Sequence, residues 1–330
     1  MAPFRLFFVT DVHGSDICLR KFLNALKIYN VNVGVLLGDL SGKMINPVIK
    51  QADGSYACNF LGMDVLAKTE QELLDLQKRI SSTGNYYYLT TPEEVKELMT
   101  EGKTITGRID AQVRKIHLGA GKIEAIFQRL VIERLKKWDM VIQEKLKDSG
   151  IKMFIAPGND DLLEVDDILN NFTYAINTDN RKVTIDGYEM ITMSWSNYTP
   201  WETPRECDED ELARKIDKLL PQIENMQNAI FNFHVPPYST NLDQAYKLSK
   251  DLVPSVSEMV SVGSVAVLNA IKEHQPSLGL HGHIHESRSV QKIGKTTCVN
   301  PGSEYSEGIL RGVIITLDKG QVKSCQFTSG

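Results

Sequence analysis

The chain has 330 residues, 42% hydrophobic and 24% charged, with a formal net charge of −5. These proportions are those of a globular protein and exclude a disordered, collagen-like or disulfide-scaffold chain. The acidic balance weighs against a protein that tracks along nucleic acid, and no apolar run approaches the roughly 18 residues of a membrane span. The apolar run in Met1–Thr10 is too short for a secretory signal and has no small-residue cleavage site. Cys18, Cys58, Cys207, Cys298 and Cys325 are scattered without a CxxC pair, so they read as free thiols in a reducing, cytoplasmic setting. In that setting the sequons at Asn171 and Asn197 are chance matches.

In chain order, Leu6–Val9 is a buried-strand run that leads into Asp11-Val12-His13. Ser15 then caps a helix expected to run through Tyr29, with Ile17, Phe22, Leu23 and Leu26 on one face. The run Val33–Leu37 ends at Gly38-Asp39, where the glycine lets the backbone turn and aims the carboxylate inward. Residues 43–108 read as an insertion. Asp53-Gly54 predicts a hairpin, and Thr69…Glu72 and Thr91-Pro92-Glu93-Glu94 read as capping boxes opening two short helices. Tyr86-Tyr87-Tyr88 reads as strand packing ahead of a base-stacking platform. The run Gly38–Met44 is not a P-loop, being one residue short between its glycines and carrying Met44 where Ser or Thr must reach Mg²⁺.

Apolar spacing predicts a long amphipathic helix over Lys122–Lys147. Cationic residues outnumber anionic ones across 101–150, which reads as a solvated helix face. The strand Lys152–Ala156 then feeds Gly158-Asn159-Asp160. An acidic helix near 161–170 follows, then a hairpin at Asp186-Gly187 with Met190–Trp195 as its second strand, and a helix over 208–219. The run Ile230–Phe233 ends at His234, a helix spans Ser264 to Gln275, and Leu278–Leu280 leads into Gly282-His283-Ile284-His285. Hairpins through Gly294-Lys295 and Lys319-Gly320 finish the chain.

Each of the five motifs follows a strand-like run, and side chains just past the ends of parallel strands converge on one crevice. Two Asp, one Asn and four His form a mixed oxygen and nitrogen shell. That chemistry suits Zn, Mn, Fe or Co rather than Mg or Ca. Because these residues run from Asp11 to His285, most of the chain must build a single domain, 1–330, with 43–108 inserted in it. The insertion is placed to act as a lid or pocket wall, or as a dimerisation element that would make a homo-oligomer.

The motifs D-x-H, GD, GN followed by an acid, a lone His, and GHxH, in this order, resemble the calcineurin-like metallophosphoesterase superfamily over residues 8 to 306. The segments Thr199–Glu206, Leu280–Glu286 and Val299–Tyr305 are similar to one bacterial and archaeal branch of predicted phosphoesterases. The resemblance implies an α/β (α+β) fold, a four-layered α-β-β-α sandwich of two mixed sheets. It implies two divalent transition-metal ions, one held by Asp11, His13 and His285, the other by Asn159, His234 and His283, with Asp39 bridging. Two such ions about 3.5–4 Å apart would share a water, acidify it and direct it at phosphorus, so the catalytic set is Asp39, Asn159, Asp160 and His234. Asp160 departs from the pattern, which usually has His there. Two nearby cations favour its carboxylate, which makes it a poor proton donor.

Outside the metals, Arg205 offers a planar fork for phosphate oxygens. Backbone N–H groups of the Asn300-Pro301-Gly302-Ser303 turn are a second candidate for substrate binding. Glu286 is a candidate partner for His285, His281 reads as structural, and Trp195, Tyr198 and Trp201 either wall a pocket or pack a loop. The expected substrate is a small-molecule phosphoester, with a nucleotide-like phosphodiester slightly preferred. A protein phosphatase, a nuclease of the same superfamily and a non-catalytic protein-binding scaffold rank below it. The scaffold ranks lowest because all seven metal-ligand positions are kept.

Overall fold

A computed structural model describes residues 3–100, 121–249 and 251–330. Two six-stranded mixed sheets face each other. The first has the spatial order Gln321–Ser329, Arg311–Asp318, Phe4–Thr10, Val33–Leu37, Lys152–Ala156, Ile176–Asn177. The second runs Ser289–Ile293, Thr296–Asn300, Leu278–Leu280, Ala229–Phe233, Tyr188–Met193, Lys182–Ile185. Parallel pairing occupies the middle of each sheet; antiparallel pairs close both edges of the second sheet and one edge of the first, whose other edge, Ile176–Asn177, pairs parallel with Lys152–Ala156.

Alternation along the strands builds the layers. Phe4, Leu6 and Phe8 point toward the second sheet, where they meet Tyr188, Met190, Ile230, Leu278 and Val299 in a buried inter-sheet core. Phe7 and Val9, on the opposite face, pack under the helix Asp16–Ile28 and the long helix Lys122–Leu146 through Phe22, Leu26, Val131 and Trp138. Ile191, Phe231 and Phe233 on the outer face of the second sheet are covered by the helices Glu209–Leu219 and Val265–His274. The result is the expected four-layered sandwich.

The helix expected near 161–170 is confined to Val165–Asn170. Before it, the carbonyls of Asp161 and Leu162 accept hydrogen bonds from Arg205 instead of entering a helical ladder. The hairpin Gln244–Leu248 with Pro254–Ser261 and the short pair Ser196–Asn197 with Glu206–Cys207 have no clear signal in the sequence.

Residues 43–100 form a separate four-stranded sheet, ordered Met63–Ala67, Tyr56–Phe60, Ile45–Lys50, Tyr86–Thr90, around a small core of Val48, Cys58, Phe60, Leu76 and Ile80. Residues 101–108 of the expected insertion lie outside the described residues. The Asp53-Gly54 hairpin is present. Thr69 makes the reciprocal capping box with Glu72. At the second site Thr91 accepts from Glu94 N, but the Glu94 carboxylate turns to Tyr88 and Thr90. Tyr86 lies in a strand and is buried.

Buried Arg134 of the long helix clamps this sheet to the loop that carries Asp11 and His13. It donates to the Gly14 carbonyl, to Ser81 Oγ at 3.0 Å and to the Asn85 carbonyl at 3.2 Å, and lies 3.5 Å from Asp16. Arg134→Met strips donors from two buried carbonyls and is expected to cost about 2–3 kcal/mol in urea unfolding. A change below about 0.5 kcal/mol would show that the clamp is idle.

Candidate metal centre

All five motifs fall at the carboxyl ends of parallel strands. Thr10, Leu37 and Ala156 sit side by side in register, so the loops that begin at Asp11, Gly38 and Pro157 leave the sheet at one level. The loops are zipped together: His13 N donates to Asp39 O at 2.8 Å, Gly14 N to Leu40 O at 2.7 Å and Gly38 N to Ala156 O at 2.9 Å. From the second sheet, Gly282 N donates to His234 O and His283 N to the Asp11 carboxylate at 3.0 Å.

The turns are severe. Asp11, His13, Asp39 and His283 all have positive φ, between 39° and 67°. Such conformations in non-glycine residues cost of order 1–3 kcal/mol each and persist only where their surroundings enforce them. Gly38, with φ +64°, leaves no room for a Cβ, which would run into the His234 ring. A Cβ at Gly282 would strike Thr10 Oγ1 and the Asp11 carboxylate, so two loops from different sheets meet here with no spare volume.

Three overlapping donor groups result among the described residues, one of them His13, Asp39 and Asp160. Ligand atoms of Asp11, His13 and His285 lie within 4.8 Å of one another, as do those of Asp39, His234 and His283. Asn159 Oδ1 lies 2.9 Å from His234 Nε2 and joins the second cluster. Asp39 reaches both, with Oδ2 3.6 Å from His13 Nε2 and Oδ1 3.4 Å from His234 Nε2. His13 Nε2 and His285 Nε2 face each other at 3.2 Å, and buried His234 Nδ1 has no hydrogen-bond partner. Ring nitrogens facing each other among buried carboxylates are chemistry that could hold metal.

The electrostatics agree. Burial alone would push His234 down, but the Asp39 and Asp11 carboxylates outweigh it and raise the ring to about 9. Burial and the Lys43 charge push His13 down to about 3. Against burial, the surrounding imidazoles hold Asp11 and Asp39 below the usual carboxylate range. Asp11 and Asp39 thus favour the carboxylate, and His13 and His283, pushed down chiefly by burial, favour the neutral ring.

No family model matches the chain. An uncharacterised protein of Methanocaldococcus jannaschii is 35% identical over 162 residues, covering 48% of this chain and 68% of that protein. The chain belongs to that protein's family. Among solved structures, one is similar with a TM-score of 0.58 at 14% identity, covering 99% of this chain and 98% of its own. Another, the protein TT1561 of Thermus thermophilus, has a TM-score of 0.52 at 13% identity, covering 100% and 99%. These likenesses establish the fold.

The structure brings Asp11, His13, Asp39, Asn159, Asp160, His234, His283 and His285 together, but places the expected substrate-binding residues elsewhere. Arg205 is 1% exposed, and its guanidinium is consumed by the Asp161 and Leu162 carbonyls and a two-pronged pair with Asp166. It has no face toward a substrate and instead locks the loop after Asn159. The backbone N–H groups of the Asn300–Ser303 turn are taken, Gly302 N by Asn300 Oδ1 at 2.8 Å and Ser303 N by His285 O at 3.1 Å; the Asn300 amide donates to the carbonyls of Leu242, Gly282 and Ile284, and Ser303 Oγ to Asp11 O at 2.6 Å. Both brace the loops that carry Asp11, His283 and His285. Glu286 is exposed, and buried His281 braces the Phe233 carbonyl at 2.9 Å. Trp195 packs beside the outer core, while Tyr198 and Trp201 are exposed.

Several contributors do not stand out in the sequence. The Asp161 carboxylate accepts from Leu40 N, Ser41 N and Gly158 N, tying two ligand loops to one point. Thr203 accepts from Asn159 Nδ2 at 2.8 Å, turning the amide oxygen toward His234. Tyr305 lays its ring 4.5 Å from that of His13. Lys43 lies 3.5 Å from Asp160. The acid after Asn159-Asp160 and the charged residue after Gly42 are the signals that could have found them.

Asn300→Leu keeps the volume and removes the donors, so unfolding stability should fall by about 2–4 kcal/mol. Unchanged stability with an altered KM alone would restore Asn300 to the substrate face.

Proposed function

We propose that the chain is a metal-dependent phosphoester hydrolase with a dinuclear centre. The observation that carries this reading is Asp39, whose two oxygens each approach a separate cluster of nitrogen and oxygen donors. Asp11, His13 and His285 would hold one ion, and Asn159, His234 and His283 the other. A pair of divalent ions supplies an acidified water and positive charge for the oxygens on phosphorus.

The chain's own residues do the rest. The Asp160 N–H donates to Asp39 Oδ1 at 2.9 Å, so the bridging carboxylate is oriented from behind. Thr203 fixes the Asn159 amide, and the Ser41 carbonyl lies 3.3 Å from His13 Nδ1, holding that ring by its outer nitrogen. In the net reaction the water oxygen bonds to phosphorus and gives up a proton, the ester P–O bond breaks, and the leaving oxygen takes the bonding pair and, from solvent, a proton. Asp160, beside Lys43, is an acceptor of charge rather than a proton donor, so good leaving groups should react best.

The insertion is better read as a pocket wall than as a dimerisation element. A Cβ on its Gly84 would collide with His13 O and Tyr305, and its Tyr86 hydroxyl accepts from Gly42 N at 2.8 Å. Among the described residues no helix is long and apolar enough to cross a membrane, and the reading is of a small-molecule phosphoester as substrate.

Protein reconstituted with Mn, Zn, Fe or Co should hydrolyse nitrophenyl phosphate mono- or diesters, and alkyl esters far more slowly. Asp39→Asn should lower the rate by at least about a thousandfold. A metal-independent rate, or an Asp39→Asn enzyme as fast as wild type, would contradict the proposal.

A further inference from the structure

The site as described lacks the feature that phosphoester recognition requires outside the metals, a cation facing the phosphate. Arg205 and Arg134, two guanidinium groups beside the ligand loops, are sealed into the fold by carbonyls and carboxylates. Lys43 is different. It stands four residues after Asp39, its side chain is 42% exposed, and its ammonium lies 3.5 Å from Asp160 Oδ2.

Its position is built rather than incidental. The preceding loop is pinned on both sides: Leu40 N and Ser41 N donate to Asp161 at 2.9 and 2.7 Å, and Gly42 N donates to the Tyr86 hydroxyl at 2.8 Å. Gly42 sits so close to the Gly84 carbonyl that no side chain fits there. The ligand loop and the insertion therefore both determine where Lys43 begins. Against the cost of desolvation, the adjacent Asp160 carboxylate favours its charged form. An ammonium has three donors, and a long ion pair with Asp160 leaves capacity for a phosphate oxygen.

We propose that Lys43 is the substrate-binding cation of this site, contacting a phosphoryl oxygen directly, with Asp160 as the positioning residue that holds it at the rim in the absence of substrate. This rests on the dinuclear reading above. It also gives the departure at Asp160 a physical purpose: an Asp–Lys pair presents a positive group at the edge of the centre where a histidine alone would stand in the resembled pattern. The insertion then acts on the substrate through the residue at its root.

The test uses inorganic phosphate as the probe and the full chain reconstituted with Mn or Zn. Metal content and phosphate affinity are measured on wild type, Lys43→Met, Lys43→Gln and Lys43→Arg. Both neutral variants should keep the wild-type metal content and bind phosphate at least about tenfold more weakly, while Lys43→Arg stays within about threefold of wild type. Neutral variants that bind phosphate about as tightly as wild type at full metal loading would overturn the role of Lys43 and leave the dinuclear reading standing. A wild-type chain that takes up no metal would overturn the dinuclear reading itself, and the role of Lys43 with it.

Discussion

The structure turns on a concentration of buried charge at the meeting point of two sheets. Asp11, Asp39, Asp160 and Asp161 are all 9% exposed or less, and they share a few ångströms with four imidazoles. Protein groups do not gather buried carboxylates in this way without an opposing charge, because each loses hydration worth several kcal/mol. Apart from Lys43, the nearby cations are turned away into other contacts. The sandwich, the zipped loops and the glycines without room for a side chain all serve to hold these groups where cations would hold them.

The surrounding fold offsets this with redundancy. Asp161 gathers backbone donors from two loops, Asn300 and Ser303 brace the loops of Asp11 and of His283 and His285, and Arg205 anchors the segment that follows Asn159. Four of the clustered residues, Asp11, His13, Asp39 and His283, have left-handed backbones. That strain is local, and the packed strands below it, with Leu37, Ala156 and Thr10 level with one another, are what make it bearable.

Much of this is legible in the sequence for a definite reason. Strand ends are marked by apolar runs that stop at Thr10, Gly38, Pro157, His234 and His281, so the positions of Asp11, Asp39, Asn159, His234 and His283 relative to the sheets follow from pattern alone. Caps such as Thr69 with Glu72 are equally plain, since they depend on residues three apart. The failures share a different cause. Arg205, Asn300 and Ser303 suggest substrate contacts because their chemistry suits phosphate, yet the same chemistry suits loop carbonyls, and only burial separates the two uses. Lys43 escapes notice because the Gly38–Met44 run invites comparison only with a P-loop. The hairpin at 244–261 carries too few turn residues and too little alternation to be distinguished from a loop.

The central claim is that two cations sit between these side chains, and anomalous X-ray scattering from crystals grown with Mn or Zn tests it most directly. The account predicts two peaks per chain, one among Asp11, His13 and His285, the other among Asn159, His234 and His283, with Asp39 between them. A well-ordered crystal of the intact fold with no peak there, or with ions only on surface acids, would contradict it.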